Sequence, residues 1–229
     1  MICAVIVAAG KGTRMGPNID KLFLPVAGRP VIAHTWERFD HCKEIEHVVV
    51  VVREGMQAAF QEIAAQIQTT KPYSLAVGGK ERQNSVWNGL EALPKSATVV
   101  AIQDGARPCT AEQIIRDTLT AARETGAAVA AQKVTDTIKE AGANNLIARN
   151  VDRTHLWSVQ TPQAFRVDVI RRALSEVFAR NFAVTDDTAA CELIQQPVRL
   201  VESQTPNPKV TTRADLAFVE LCLARGKAG

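Results

Sequence analysis

The feature that most restricts the fold is a short apolar run that ends abruptly in a cluster of small residues. Ile2-Cys3-Ala4-Val5-Ile6-Val7 has no polar side chain to turn towards water, so it reads as a strand covered on both faces. It stops at Ala8-Ala9-Gly10-Lys11-Gly12-Thr13-Arg14-Met15-Gly16, and Lys21 follows a few residues later. Nothing larger than Cβ stands at Ala8, Ala9, Gly10 or Gly12, so a ligand can come close to the backbone there. With Lys11, Arg14 and Lys21 in the same span, the segment has the makings of a cradle for a polyphosphate. Two other phosphate loops are excluded. A P-loop needs Ser or Thr directly after Gly-Lys, and Gly12 stands there; a dinucleotide fingerprint needs its third glycine where Met15 stands.

The remaining match is A-A-G-x-G-x-R-M followed by a lysine, which resembles the opening signature of sugar-nucleotide pyrophosphorylases and cytidylyltransferases. A plain strand-to-helix turn with solvated basic residues is the competing reading, and it needs fewer small residues than are present.

Strands and helices alternate beyond this loop. Pro30 opens a helix from Val31 to about Phe39, and Val48–Val52 is a buried strand. Met56–Gln68 is helical in composition, Tyr73–Val77 a strand, and Gly78-Gly79 a break before a helix over Arg82–Leu93. Thr98–Ile102 is a strand ending at Asp104-Gly105-Ala106-Arg107-Pro108. Thr110, as N-cap with Gln113 closing a capping box, starts a helix that stops near Gly126, and Ala127–Ala131 is a further strand. This order implies a mostly parallel sheet covered on both faces, in which ligands sit beyond the carboxyl ends of the strands. The loops at Ala8, Gly78 and Asp104 are therefore expected to converge.

The alternation lapses over residues 132–155, where two polar-alternating segments flank Ala141–Asn145 as a hairpin-like arm. Trp157–Phe165 returns the chain to the domain. A helix follows from Val167 to about Arg180, then Asp186-Asp187 precede a second helix to about Ile194, with a strand at 198–201 and a last helix capped by Thr211 or Thr212.

Bulk properties narrow the function. A net charge of +3 and the absence of a long basic run argue against nucleic acid. Five scattered cysteines with no C-x-x-C pair argue against a zinc site or disulfide framework and suit a reducing compartment. No signal peptide is visible and the longest aliphatic run is Val48–Val52, so the expectation is a cytoplasmic protein.

Several motifs then agree in order across nearly the whole chain. They are the Ala8–Met15 loop with Lys21, Gly78–Val86, Asp104–Pro108, Thr135–Lys139, Val151-Asp152-Arg153, Gln160–Gln163, Thr185-Asp186-Asp187 and Asn207–Thr211. The series resembles the 2-C-methyl-D-erythritol 4-phosphate cytidylyltransferase family. The resemblance implies a single Rossmann-like α/β/α nucleotidyltransferase domain over residues 1–229, with a protruding β-arm at about 132–155 that pairs two subunits. It implies attack of the acceptor phosphate on the α-phosphorus of CTP with release of pyrophosphate, Mg²⁺ carried mainly through the CTP phosphates, and no general base, because the nucleophile is already an anion. Accordingly His34, His41 and His47 lie outside every motif.

Residue by residue, the resemblance makes Arg14 and Lys21 catalytic. It assigns Ala8, Ala9, Gly10, Gly12, Thr13, Gly79, Ser85, Asp104 and Ala106 to CTP, and Asp104 to the metal or the ribose. Arg107, Thr137, Arg153 and Lys209 hold the acceptor, with Thr137 and Arg153 coming from the partner's arm. Arg82 faces the substrate or pairs with a nearby acid, and Trp87 and Trp157 are packing residues. Val7 stands where many members of the family have Pro. The competing readings are a cytidylyltransferase for another polyol phosphate such as ribitol 5-phosphate, a guanylyl- or uridylyltransferase, and an inactive nucleotide-binding scaffold.

Overall fold

The structure is a computed structural model, and it describes residues 1–10 and 20–225. In chain order it runs β1 (Ile2–Val7), a two-residue ribbon of β2 (Pro25–Val26) and β3 (Arg29–Pro30), α1 (Val31–His41), β4 (His47–Val52), α2 (Gln57–Ile67), β5 (Tyr73–Val77) and α3 (Arg82–Glu91). There follow β6 (Val99–Asp104), α4 (Glu112–Thr125), β7 (Ala127–Lys133), β8 (Ile138–Ala141), β9 (Ile147–Val151), β10 (Trp157–Arg166), α5 (Val167–Ala179), α6 (Asp187–Glu192), β11 (Arg199–Glu202) and α7 (Ala214–Arg225).

Seven strands form the central sheet in the order β11-β7-β10-β6-β1-β4-β5. The β6-β1-β4-β5 half is wholly parallel, and β11 pairs parallel to β7. The exception is β10, antiparallel to both β6 and β7, with a register shift between Val159 and Gln163 that accommodates Pro162. Its sequence signalled a return to the domain but not a strand in the middle of the sheet.

The uniform apolarity of β1 and β4 follows from burial on both sides. Ala4, Ile6, Val48, Val50 and Val52 belong to one core with Trp36, Phe39, Phe60 and Leu119, which come from α1, α2 and α4. Cys3, Val5, Val49 and Val51 belong to a second core with Val86, Leu90, Ile170 and Leu174, from α3 and α5. Alternate side chains thus feed opposite layers, as strand geometry requires. Trp87 packs edge-on to Phe178, so it is a packing residue as expected.

Two local expectations are corrected. Pro30 is the N-cap of α1 and not its first helical residue. Thr110 does not cap α4, whose N-cap is Ala111 with no side-chain hydrogen bond. The Thr110 hydroxyl lies 3.1 Å from both the Arg107 carbonyl and Asn207 Oδ1, and accepts from Gln103 Nε2 at 2.9 Å. Gln113 bonds Asp117 instead. A buried, fully used threonine holding a loop outcompetes a cap that solvent can replace. The reciprocal cap falls at α3, where Asn84 Oδ1 accepts from the Glu81 backbone N–H at 3.2 Å.

The arm is a separate two-stranded antiparallel sheet of β8 and β9. Leu146 and Ile147 at its tip are 69% and 68% exposed. Among the described residues no helix is long and apolar enough to cross a membrane.

Gly89 shows how closely α3 lies on the sheet. A Cβ there would stand 2.5 Å from Val5 Cγ1 and 2.9 Å from Val51 Cγ2. Gly89→Ala is expected to cost about 1–3 kcal/mol of stability by overpacking, read as a lower urea midpoint, whereas Gly142→Ala on the arm changes it by less than about 0.5 kcal/mol. Equal midpoints for the two variants would contradict this packing.

Candidate active site

Three loops leave the carboxyl ends of β1, β5 and β6 and are tied to the strand ends beside them. The Ala8 N–H donates to the Val51 carbonyl at 2.8 Å, Gly78 N–H to Val52 at 2.8 Å, and Gly105 N–H to Val7 at 3.0 Å. These bonds draw the loops following β1, β5 and β6 together, as the alternation predicted. Close approach completes the floor: a Cβ on Gly78 would meet Ala9 Cβ at 2.3 Å and Ser85 Oγ at 3.0 Å. The small residues here serve loop-to-loop packing as well as ligand access. At Gly10, by contrast, a Cβ would meet nothing within 4 Å.

The loops enclose a cleft of about 560 Å³. Its first wall is Val7–Gly10 with Lys21 and Leu22. The second is Gly79–Arg82 with Ser85, and the third Asp104–Ala106, with Lys209 at the rim. Ala8, Ala9, Gly10, Lys21, Gly79, Ser85, Asp104, Ala106 and Lys209 are therefore brought together as expected. Gly12, Thr13 and Arg14 lie outside the described residues. Arg53 holds the two flanks of that stretch, with ion-pair contact to Asp20 and a 3.5 Å bond from Nη1 to the Gly10 carbonyl.

Charge in the cleft is organised around Asp104, 13% exposed at the end of β6. Lys209 Nζ stands 2.6 Å from its Oδ2, Arg82 Nε 3.6 Å from its Oδ1, and Arg107 Nε 3.8 Å from its Oδ2. Burial opposes ionisation of Asp104, but the charges of Arg82, Lys209 and Arg107 outweigh it and hold the carboxyl below the usual range. Lys21 Nζ donates to the Val210 carbonyl at 2.8 Å. Both lysines are thus steered by the Asn207–Val210 segment.

That segment is itself fixed from below. Val210 N–H donates to the Ala106 carbonyl at 2.8 Å, Arg107 Nη1 to the Asn207 carbonyl at 2.7 Å, and Asn207 Nδ2 to the Thr161 carbonyl at 2.8 Å. Thr161 Oγ1 also accepts from the Asp104 N–H at 3.1 Å. Arg107 consequently sits behind Asp104 and does not line the cleft.

Ser85 has a defined polarity. Its Oγ accepts from Gly79 N–H at 3.1 Å and donates to the Glu81 carbonyl at 3.2 Å, which leaves a lone pair for a further donor. Thr137 and Arg153 are on the arm, outside this chain's cleft, and Arg153 Nη1 bonds the Thr135 carbonyl. Of the two roles that the sequence left open for Arg82, the pairing with an acid is present, to Asp104 and to Asp187, whose Oδ2 is 2.8 Å from Nη2; its side chain also lines the cleft.

Because the Asp104 pKa is depressed in the folded chain, its ion pairs add stability above the unfolded carboxyl value of about 3.9 and lose it as pH falls through the lower folded value. The stability difference between wild type and Asp104→Asn is expected to shrink between about pH 6 and pH 3 in denaturant titrations. A difference constant with pH would mean that Asp104 is not ionised by its neighbours.

A family model for 2-C-methyl-D-erythritol 4-phosphate cytidylyltransferase matches residues 2–225. The enzyme of that name from Synechococcus elongatus is 43% identical over 220 residues, covering 96% of this chain and 94% of the relative. The solved 4-diphosphocytidyl-2C-methyl-D-erythritol synthase of Anaerococcus prevotii superposes with a TM-score of 0.86 at 30% identity, covering 97% of this chain and 96% of that one. The cytidylyltransferase of Thermus thermophilus superposes at 0.80, also at 30% identity, over 98% of this chain and 100% of its own. With the ordered motifs and the converged loops, these matches identify the chain as a member of the 2-C-methyl-D-erythritol 4-phosphate cytidylyltransferase family.

Proposed function

We infer that the chain transfers the cytidylyl group of CTP to 2-C-methyl-D-erythritol 4-phosphate, giving 4-diphosphocytidyl-2-C-methyl-D-erythritol and pyrophosphate. The family match over residues 2–225, on a cleft lined by small residues and by Lys21, Arg82 and Lys209, carries this reading. The acceptor phosphate attacks the α-phosphorus in line, and what the protein must supply is alignment and compensation of the accumulating negative charge. Lys21 and Lys209 are placed for this. Each now rests on a protein oxygen that a phosphate oxygen can replace. Arg14 is assigned beside Lys21 by the loop motif.

Base choice follows from Ser85 and Gly79. Cytosine offers an amino donor where uracil offers a carbonyl. With its proton turned to the Glu81 carbonyl, Ser85 Oγ is placed to receive the amino group of cytosine. Mg²⁺ fits as an ion arriving with the triphosphate, because such ions take one or two carboxylates with substrate phosphates, and Asp104 is the carboxylate at the third wall. When bound, the ion neutralises phosphate oxygens and draws charge from the leaving pyrophosphate. Asp104 is the residue that would hold the ion or the ribose, and Lys209 would meet the phosphates.

The arm supports a homodimer with shared sites. Thr137 and Arg153 are remote from their own cleft, and the arm tip exposes Leu146 and Ile147. In this reading the partner's arm brings both residues to the acceptor. A cytoplasmic location remains part of the proposal.

Pyrophosphate release from CTP is expected to be far faster with 2-C-methyl-D-erythritol 4-phosphate than with ribitol 5-phosphate, and faster with CTP than with UTP. Best turnover with ribitol 5-phosphate would overturn the acceptor, and best turnover with UTP the base. Lys21→Ala is expected to lower kcat by about 10²–10³, and Arg153→Ala to act mainly on the KM of the acceptor. Mixed and re-equilibrated Lys21→Ala and Arg153→Ala chains are expected to regain roughly a quarter of wild-type activity, since half the dimers then hold one intact site. No recovery on mixing would place each whole site within one chain.

A further inference from the structure

Two sequence motifs, Gln160–Gln163 and Thr185-Asp186-Asp187, take no part in the chemistry above, yet both end at Arg82. Asp187 is 0% exposed at the start of α6. Its backbone N–H donates to Gln163 Oε1 at 3.1 Å, and Gln163 Nε2 donates to Asp186 Oδ2 at 2.9 Å. Asp186 in turn caps α6 by accepting from the Ala189 N–H at 2.9 Å. These bonds fix the backbone at the start of α6. The Asp187 carboxylate itself is buried with no hydrogen bond among the described residues. Burial pushes its pKa up, and Arg82 Nη2, 2.8 Å from Oδ2, is the ion-pair partner that opposes that rise. It is an expensive arrangement: Ala190 and Cys191 beside it belong to the apolar core, and a well-packed apolar pair of similar volume would be as stable or more so.

What the pair does supply is position. An arginine reaching a cleft from α3 loses its rotamer freedom when a ligand fixes it, and that loss weakens binding. Burial works against the charge of Arg82, but Asp187, then Asp104 and Asp186, more than restore it, so the guanidinium is held fully charged. Asp187 grips it from the core while Asp104 meets it from the cleft. An alternation of charge results, Asp187, Arg82, Asp104 and Lys209, running from the interior to the rim.

We propose that Asp187 is a positioning residue for the nucleotide: buried and out of reach of substrate, it fixes Arg82 against the cleft in the orientation that receives CTP. The proposal rests on the CTP reading of the cleft. Without the Asp187 anchor, Arg82 retains its charge but must be ordered by the ligand, and affinity falls by that cost. The effect belongs to CTP, not to the acceptor, and it vanishes when Arg82 is absent.

The test is a double-mutant cycle on CTP affinity, measured by calorimetric titration of full-length chains, with a thermal melt of each to confirm folding. Asp187→Asn and Arg82→Met are each expected to raise the CTP Kd by about tenfold to a hundredfold, and the double variant by no more than Arg82→Met alone. Acceptor KM in Asp187→Asn stays within about twofold of wild type. Losses that multiply in the double variant, or an Asp187→Asn chain that binds CTP like wild type, would overturn the proposal. Should Asp187→Asn not fold, the pair Arg82→Met with Asp187→Leu removes both charges together; CTP affinity equal to Arg82→Met supports the proposal, and a further loss overturns it. A wild-type chain that bound no CTP would instead remove the nucleotide reading itself.

Discussion

One carboxylate organises the cleft. Asp104 stands between Arg82, Arg107 and Lys209, and without it three cations would face one another across a few ångströms. With it, they are held ready for an anionic ligand at the end of β6, the point in an open parallel sheet where ligands collect. The backbone of Asp104 is pinned separately by Thr161, so its position does not depend on the side chains it gathers. Preorganised charge of this kind suits a reaction whose nucleophile is already an anion and whose transition state accumulates more negative charge.

The second constraint is steric. Gly78 lets the loop after β5 close on the Ala9 methyl, Gly105 lets the loop after β6 close on Val7 and the Ile32 side chain, and Gly89 lets α3 lie on the sheet. α3 carries Arg82 and Ser85, so its close seating fixes both the Ser85 hydroxyl and a cation of the cleft. Packing and chemistry share the same few small residues.

Much of this was legible in the sequence. Tyr73–Val77 is the strand its residues predicted, and β1 and β4 could be read as doubly buried because neither has a polar face. The convergence of the Ala8, Gly78 and Asp104 loops followed from alternation alone. Less legible was whatever depends on distant partners. Thr110 satisfies every rule for an N-cap, but Gln103 and Asn207, close only in the fold, claim its hydroxyl. The place of β10 in mid-sheet was hidden because Gln160–Gln163 is polar where buried strands are apolar; the two glutamine side chains bond Gln132, the start of α6 and the Gln160 carbonyl. Asp187 could be seen as part of a motif, but not as the partner of Arg82, because 105 positions separate them in the chain.

A crystal structure with CTP bound tests the central claim most directly. The account places the base amino group within hydrogen-bond distance of Ser85 Oγ and the triphosphate between the first loop and Arg82. Lys209 Nζ should leave Asp104 for a phosphate oxygen. A nucleotide bound with its base away from Gly79 and Ser85, or with Lys209 still on Asp104 and the phosphates directed elsewhere, would contradict it.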